Sequence, residues 1–163
     1  MIIKSLEIIS FGKFKDKTIN LDSGLNVILG DNESGKSTIM SFIYAMLYGF
    51  GDNRGKSASL REKYTPWDGG VCEGKLTLHL SGGDDITIYR KAGSVKKQDT
   101  LRVYNTLTGQ ELSSMPEEII GIGSDTFSKT LCLKQLSTAF NGTNEEIVQK
   151  LSNISAGGDE NVS

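Results

Sequence analysis

Gly30-Asp31-Asn32-Glu33-Ser34-Gly35-Lys36-Ser37 is the stretch on which the fold turns. It satisfies GxxxxGK[ST], the pattern of a loop whose backbone amides cradle phosphate oxygens between a strand and a helix. Immediately before it, Leu25-Asn26-Val27-Ile28-Leu29 is a nearly continuous apolar run suited to a buried strand. Immediately after it, Ile39, Phe42, Ile43, Met46, Leu47 and Phe50 recur at three- and four-residue steps. That spacing predicts a helix from Lys36 that stops at Gly49 or Gly51 and places those side chains in the core.

Each residue type in the loop has a chemical task. Gly30 and Gly35 let the backbone curl so that the amides across Asp31, Asn32, Glu33 and Ser34 point at one anion, and the helix beginning near Lys36 adds its positive dipole end. Lys36 has the charge and reach for the β- and γ-phosphates of ATP. Ser37 offers a hydroxyl to Mg²⁺, and Thr38 lies nearer the α-phosphate. The bland alternative is a Gly-rich turn that happens to precede a helix. With Gly near 7% of average usage, the full pattern arises by chance in roughly one chain of this length in a few hundred, so phosphate binding is the stronger reading.

Working outward, residues 2–9 (IIKSLEII) and 17–21 (KTINL) read as strands, and with the loop and its helix they make 1–49 the core of the fold. Residues 50–73 carry Gly, Ser, Asp and Pro without a sustained period and read as a surface insertion with at most one short turn of helix. In 74–112, Leu76, Leu78 and Leu80 alternate with Thr77 and His79, Ile86 and Ile88 with Thr87 and Tyr89, and Leu101 and Val103 repeat the pattern. This predicts an antiparallel β subdomain. Within 113–155, Ser114-Met115-Pro116-Glu117 and Thr143-Asn144-Glu145-Glu146 both fit the capping box and each predicts a helix. Residues 156–163 form a polar, Gly-rich tail. The expected architecture is a single α/β lobe over 1–163, a mixed sheet around the loop's helix plus the antiparallel subdomain.

The totals bound the function. At 163 residues the chain suits one domain, and 18 basic against 20 acidic residues give no global field of the kind a dedicated nucleic-acid binder carries. Arg90, Lys91, Lys96, Lys97 and Arg102, set against Asp99, make one local basic stretch; a solvated hairpin and a grip on a phosphate backbone both remain open there. Cys72 and Cys132 have no ligand or CxxC spacing, which argues against a zinc site or a disulfide framework. Met1-Ile2-Ile3-Lys4 opens without a signal-peptide pattern and no apolar run is long enough to span a bilayer, so a cytoplasmic location away from membranes is expected. His79 reads as a solvated histidine, and Trp67 as an anchor of its Pro-containing loop, with a neighbour's surface or DNA as alternatives.

Leu6-Glu7-Ile8-Ile9-Ser10-Phe11-Gly12-Lys13-Phe14, then Gly24 through Thr38, then Ala45-Met46-Leu47-Tyr48-Gly49, resemble the SMC-like (structural maintenance of chromosomes) ABC ATPases of the double-strand-break repair branch. Tyr64-Thr65-Pro66-Trp67 is similar to a motif of one bacterial coiled-coil branch of that family. The resemblance covers the first 50 residues closely and implies the N-terminal lobe of an ABC-type P-loop NTPase. In that family a long antiparallel coiled coil joins this lobe to a C-terminal one carrying the signature and Walker B elements. It further implies ATP and Mg²⁺ as cofactors, a head-to-head homodimer closed by ATP, and DNA and a nuclease subunit as further partners. By the same resemblance, Thr130-Leu131-Cys132-Leu133-Lys134-Gln135 is a strand ending in the Q-loop, with Gln135 touching Mg²⁺ and the attacking water.

Two departures qualify this. The family's first loop often places Arg after its Phe, whereas this chain has Gly12-Lys13, so Lys13 is the candidate for that phosphate contact. After Gln135 no apolar strand ends in Asp-Glu, and Leu80-Ser81-Gly82-Gly83 reads as a hairpin turn rather than an ABC signature because it links two alternating strands. Catalytic parts would therefore come from a second lobe. The rival from another class is a non-hydrolysing module whose ATP sets oligomeric state; a GTPase is disfavoured by the lack of an Asn-Lys-x-Asp run.

Overall fold

Five strands of alternating pattern pair into one sheet in the computed structural model, which describes residues 1–51 and 58–131. They are β1 (Ile2–Phe11), β2 (Phe14–Asn20), β3 (Glu73–His79), β4 (Asp85–Lys91) and β5 (Thr100–Asn105), in the order β2-β1-β3-β4-β5, every pairing antiparallel. Leu6 and Ile8 of β1, Leu76 and Leu78 of β3, and Ile86 and Ile88 of β4 are buried on one face. Between them point Glu7, Lys75, Glu73, Tyr89 and Lys91, tied across strands by Lys75 to Glu7 at 2.9 Å, Lys91 to Glu73 at 3.0 Å and Tyr89 to Glu73 at 2.8 Å. One apolar and one polar face is the usual state of an antiparallel sheet with a helix on one side. Burial alone would raise the Glu73 carboxyl, but hydrogen bonds from Lys91 and Tyr89 win and hold it below its usual range.

The apolar face is covered by α1 (Lys36–Tyr48), whose Ile39, Phe42, Ile43, Met46 and Leu47 are all buried, as their spacing predicts. The helix ends at Gly49, whose φ of 92° lets its amide turn back to Ala45 O at 2.8 Å. Helix and sheet meet tightly at Gly74, where a Cβ would lie 2.5 Å from the Phe42 ring and 2.7 Å from Glu7 O. No side chain fits there. Arg90 of β4 fastens the other end of α1: Nε donates to Met46 O at 2.7 Å and an Nη to Leu47 O at 3.1 Å, a cation on the helix's negative end.

Residues 58–72 are less superficial than an insertion without period suggests. They hold one turn of helix, α2 (Leu60–Lys63), with a Ser59–Glu62 capping box, and Tyr64 and Cys72 enter the core. Burial pushes the Cys72 thiol up to about 11, so it is an inert core group. Trp67 is not the anchor of this loop, being 86% exposed; Tyr64, and Asp68 paired to Lys15 at 2.6 Å, do that work.

The α/β class is as expected, yet its arrangement differs in four places. Strands β3 to β5 continue the same sheet as β1 and β2 rather than forming a subdomain, because β1 pairs directly with β3 along most of its length. The sheet is purely antiparallel among the described residues, since Leu25-Leu29 joins no strand there: Leu25, Val27 and Leu29 are exposed. The first of the two late helices, α3 (Pro116–Ile120), starts one residue later than its sequence box: Met115 is the N-cap, and its amide donates to Glu118 rather than Ser114 pairing with Glu117. Leu80–Asp84 is a hairpin turn, closed by Leu80 N–H on Asp84 O at 2.8 Å. After the three-residue α4 (Ser124–Thr126), Phe127–Leu131 forms a π-helical turn, so Thr130 and Leu131 are not in a strand. The helix expected from Thr143 lies outside the described residues.

Candidate nucleotide site

The loop's shape follows from two glycines and one strained residue. Gly35 takes the left-handed conformation (φ 106°) at the N-cap of α1, and Ile39 N–H on Gly35 O at 3.0 Å begins the helix. Among the described residues no side chain caps α1, which leaves the first-turn amides around Lys36, Ser37 and Thr38 open to an external acceptor. Ser34 N–H closes a turn on Asp31 O at 3.1 Å, and Glu33 is held at φ 63°, a rare state for a residue with a Cβ. At Gly30 a Cβ would fall 2.5 Å from Ser34 Oγ, and at Gly35 one would fall 2.4 Å from the Phe14 ring. Phe14, at the start of β2, therefore packs against the loop where only glycine fits.

Two ammonium groups converge on this loop. Lys36 Nζ donates to Gly30 O at 2.5 Å and Asp31 O at 2.7 Å, while Lys13 Nζ, from the β1–β2 turn, donates to Glu33 O at 2.5 Å. Lys36, Ser37 and Lys13 are exposed and Thr38 half-buried. A cavity of about 420 Å³ opens beside them, bounded by Phe14, Lys17 and Ile19 of β2 on one side and by Ile28, Leu29 and Lys36 on the other. Two cations, uncapped helix amides and a serine hydroxyl make a donor set that suits a polyphosphate with its metal.

Of the candidates from sequence, the eight loop residues, Thr38 and Lys13 are thus brought together. Gln135 lies outside the described residues. The basic stretch 90–102 is largely dismantled: Arg90 is buried on α1, Lys91 pairs with Glu73, and Arg102 pairs with Glu111 at 2.7 Å. Lys96 and Lys97 remain exposed on a 3₁₀ turn. His79 is not simply solvated, since its Nδ1 lies 2.6 Å from Asp85 Oδ1, and Lys4 reaches the same carboxylate at 2.8 Å. The hydrogen bonds from Lys4, then His79, hold the Asp85 carboxyl below its usual range. Sequence reasoning missed the roles of Phe14 and Arg90, whose partners lie 21 and more than 40 positions away and share no periodicity with them.

Comparison with known proteins agrees with this geometry. The family described as AAA domain matches residues 5–156. An uncharacterized protein, YhaN, of Bacillus subtilis is 34% identical over 113 residues, 61% of this chain and 11% of that protein. The DNA double-strand break repair Rad50 ATPase of Archaeoglobus fulgidus is 33% identical over 113 residues, covering 69% of this chain and 11% of its own length. The DNA replication and repair protein RecF of Clostridium novyi is 46% identical over a 44-residue stretch. The chain thus spans only about a tenth of the length of these relatives. A solved structure, from work on ATP-driven dimerization and DNA stimulated activation of SMC ATPases, superposes on 93% of this chain with a TM-score of 0.51 at 16% identity, which shows a common fold. No helix among the described residues is long and apolar enough to cross a membrane. With a family match over nearly its whole length and the loop geometry to go with it, the chain belongs to the AAA domain family.

Proposed function

We propose that this chain cradles Mg-ATP and forms the N-terminal half of a composite ATPase head. The observation that carries this is the pair of ammoniums, Lys36 and Lys13, drawn onto carbonyls of a loop whose helix amides are uncapped. Phosphate oxygens are better acceptors for both cations than those carbonyls, so ATP would take over these bonds. Ser37 would hold Mg²⁺, and Gln135, by resemblance to the Q-loop, would reach the metal and the attacking water.

Turnover needs more than a cradle. Phosphoryl transfer depends on an oriented water and on neutralising charge spread over the γ-phosphate, tasks a Walker A loop performs only in part. The exposed run Leu25, Val27, Ile28 and Leu29, lying directly against the loop, supports a second lobe that covers it and brings the missing groups. An ATP-closed pair of heads, acting on DNA in repair or chromosome maintenance, is the setting the relatives suggest.

Calorimetry with Mg-ATP tests the central claim. Lys36→Ala should weaken binding about 10- to 150-fold, the worth of one charge-assisted contact. Unchanged affinity in a folded Lys36→Ala chain would remove this reading.

A further inference from the structure

We infer that Tyr64 is a positioning residue of the nucleotide site: it locks the turn carrying Lys13 to the helix carrying Lys36 and Ser37, and so sets the gap between the two cations. This rests on the phosphate-cradle reading of Lys36 and Lys13 given above.

Three different parts of Tyr64 act on the two halves of the site. Its carbonyl accepts Gly12 N–H at 2.8 Å, one residue before Lys13. Its ring stacks on Phe11, centroids 4.7 Å apart and planes 17° from parallel. Its hydroxyl lies 2.8 Å from Ser41 Oγ, on the next turn of α1 after Ser37. Gly12, at φ 57°, is wedged between these halves: a Cβ there would sit 3.2 Å from Tyr64 Cδ1 and 3.5 Å from Thr38 Cγ2. The turn therefore has little freedom to rise from the helix while Tyr64 stays in place.

Tyr64 is itself braced. It is the C-cap of α2, its amide donating to Leu60 O at 3.0 Å, and Cys72 Sγ donates to its carbonyl at 3.1 Å. On the same helical turn Arg61 binds both Asp99 oxygens at 2.7 Å and donates to Gly93 O, which ties α2 to the connection between β4 and β5. The post is fixed on the sheet side and presents a hydroxyl to α1. A side chain that only filled space would need the ring alone, because phenylalanine stacks on Phe11 equally well. The hydroxyl, in a residue 8% exposed, is used on the helix of the phosphate loop.

The test is a double-mutant cycle read by Mg-ATP calorimetry on the chain. Tyr64→Phe should weaken ATP binding roughly 3- to 10-fold, the worth of one net hydrogen bond, with the thermal midpoint moving by no more than about 4 °C. Ser41→Ala, which deletes the same bond from the other side, should match it. In a Lys13→Ala background the Tyr64→Phe effect should vanish, a coupling that a merely structural tyrosine would not show. Equal losses with and without Lys13, or full affinity in both Tyr64→Phe and Ser41→Ala, overturn the inference. If those results come with a Lys36→Ala chain that has lost ATP, only this inference falls; if Lys36→Ala binds like the parent, the cradle reading falls and this one with it.

Discussion

Two apolar stretches flank the phosphate loop, and the molecule treats them oppositely. Downstream, Ile39, Phe42, Ile43, Met46 and Leu47 are buried on the sheet; upstream, Leu25 and Leu29 are 92% and 87% exposed. Hydrophobicity is similar in the two, so it cannot be what separates them. The helix finds its cover within the chain, on the face built by β1, β3 and β4. The upstream run meets no strand among the described residues. An apolar run in a sequence states that a surface has to be covered, not which molecule or lobe covers it.

The largest effect should come from the packed side of that comparison. Phe42 fills the space left by Gly74 and meets Phe11 edge-on at 5.4 Å, so Phe42→Ala should cost about 3 to 5 kcal/mol in denaturant unfolding. A loss under about 1 kcal/mol would mean that α1 is not seated on the sheet. Next is Arg90→Met, which keeps most of the volume but strips the donors from Met46 O and Leu47 O. It should cost about 1.5 to 3 kcal/mol by the same assay. If Arg90→Met is neutral, the end of the helix is held by its apolar side chains alone.

What the sequence made legible follows the reach of each signal. Helix α1, its stop at Gly49 and the alternating strands are local or periodic, and each was readable from neighbouring residues. Pairing of β1 with β3 was not, because some 60 residues separate them and the pattern of either strand is satisfied by several partners. At the site, Lys36 is named by its motif, whereas Phe14 against Gly35 and Arg90 on α1 depend on contacts that only the folded chain creates. The charges over 90–102 could not be sorted from the sequence for a similar reason: Arg90 is on the inward side of β4, where a positive charge serves the helix end rather than a ligand.

Alkaline pH separates the two stretches by a smaller margin. Tyr48, the last residue of α1, donates its hydroxyl to Ile122 O at 2.9 Å, and burial, then the charge of Glu117, push it from 10 up to about 12. Its contribution is complete below pH 10. It is lost as pH rises from 10 through 12, where the unfolded chain gives up the proton first. Tyr48→Phe should cost about 1 kcal/mol at neutral pH and flatten the decline above pH 10. Tyr89, also raised to about 12, and Cys72, raised to about 11, keep some of the slope. An unchanged slope in Tyr48→Phe would show that the hydroxyl already ionises freely in the folded chain.

The smallest effect should be on the uncovered side. Replacing Leu25 and Leu29 together with Ser removes two large apolar side chains that touch little, so the stability of this chain should change by no more than about 0.5 kcal/mol per site. The same double variant becomes informative in the presence of the C-terminal lobe proposed to complete the head. A leucine buried there would contribute about 1.5 to 3 kcal/mol, so the variant should weaken association of the lobe by at least about tenfold. A stability loss comparable with that of Phe42→Ala would show that the run is already packed within the chain. Intact lobe association with an undisturbed fold would show instead that the second lobe docks elsewhere, and the apolar strip beside the phosphate loop would then need another cover.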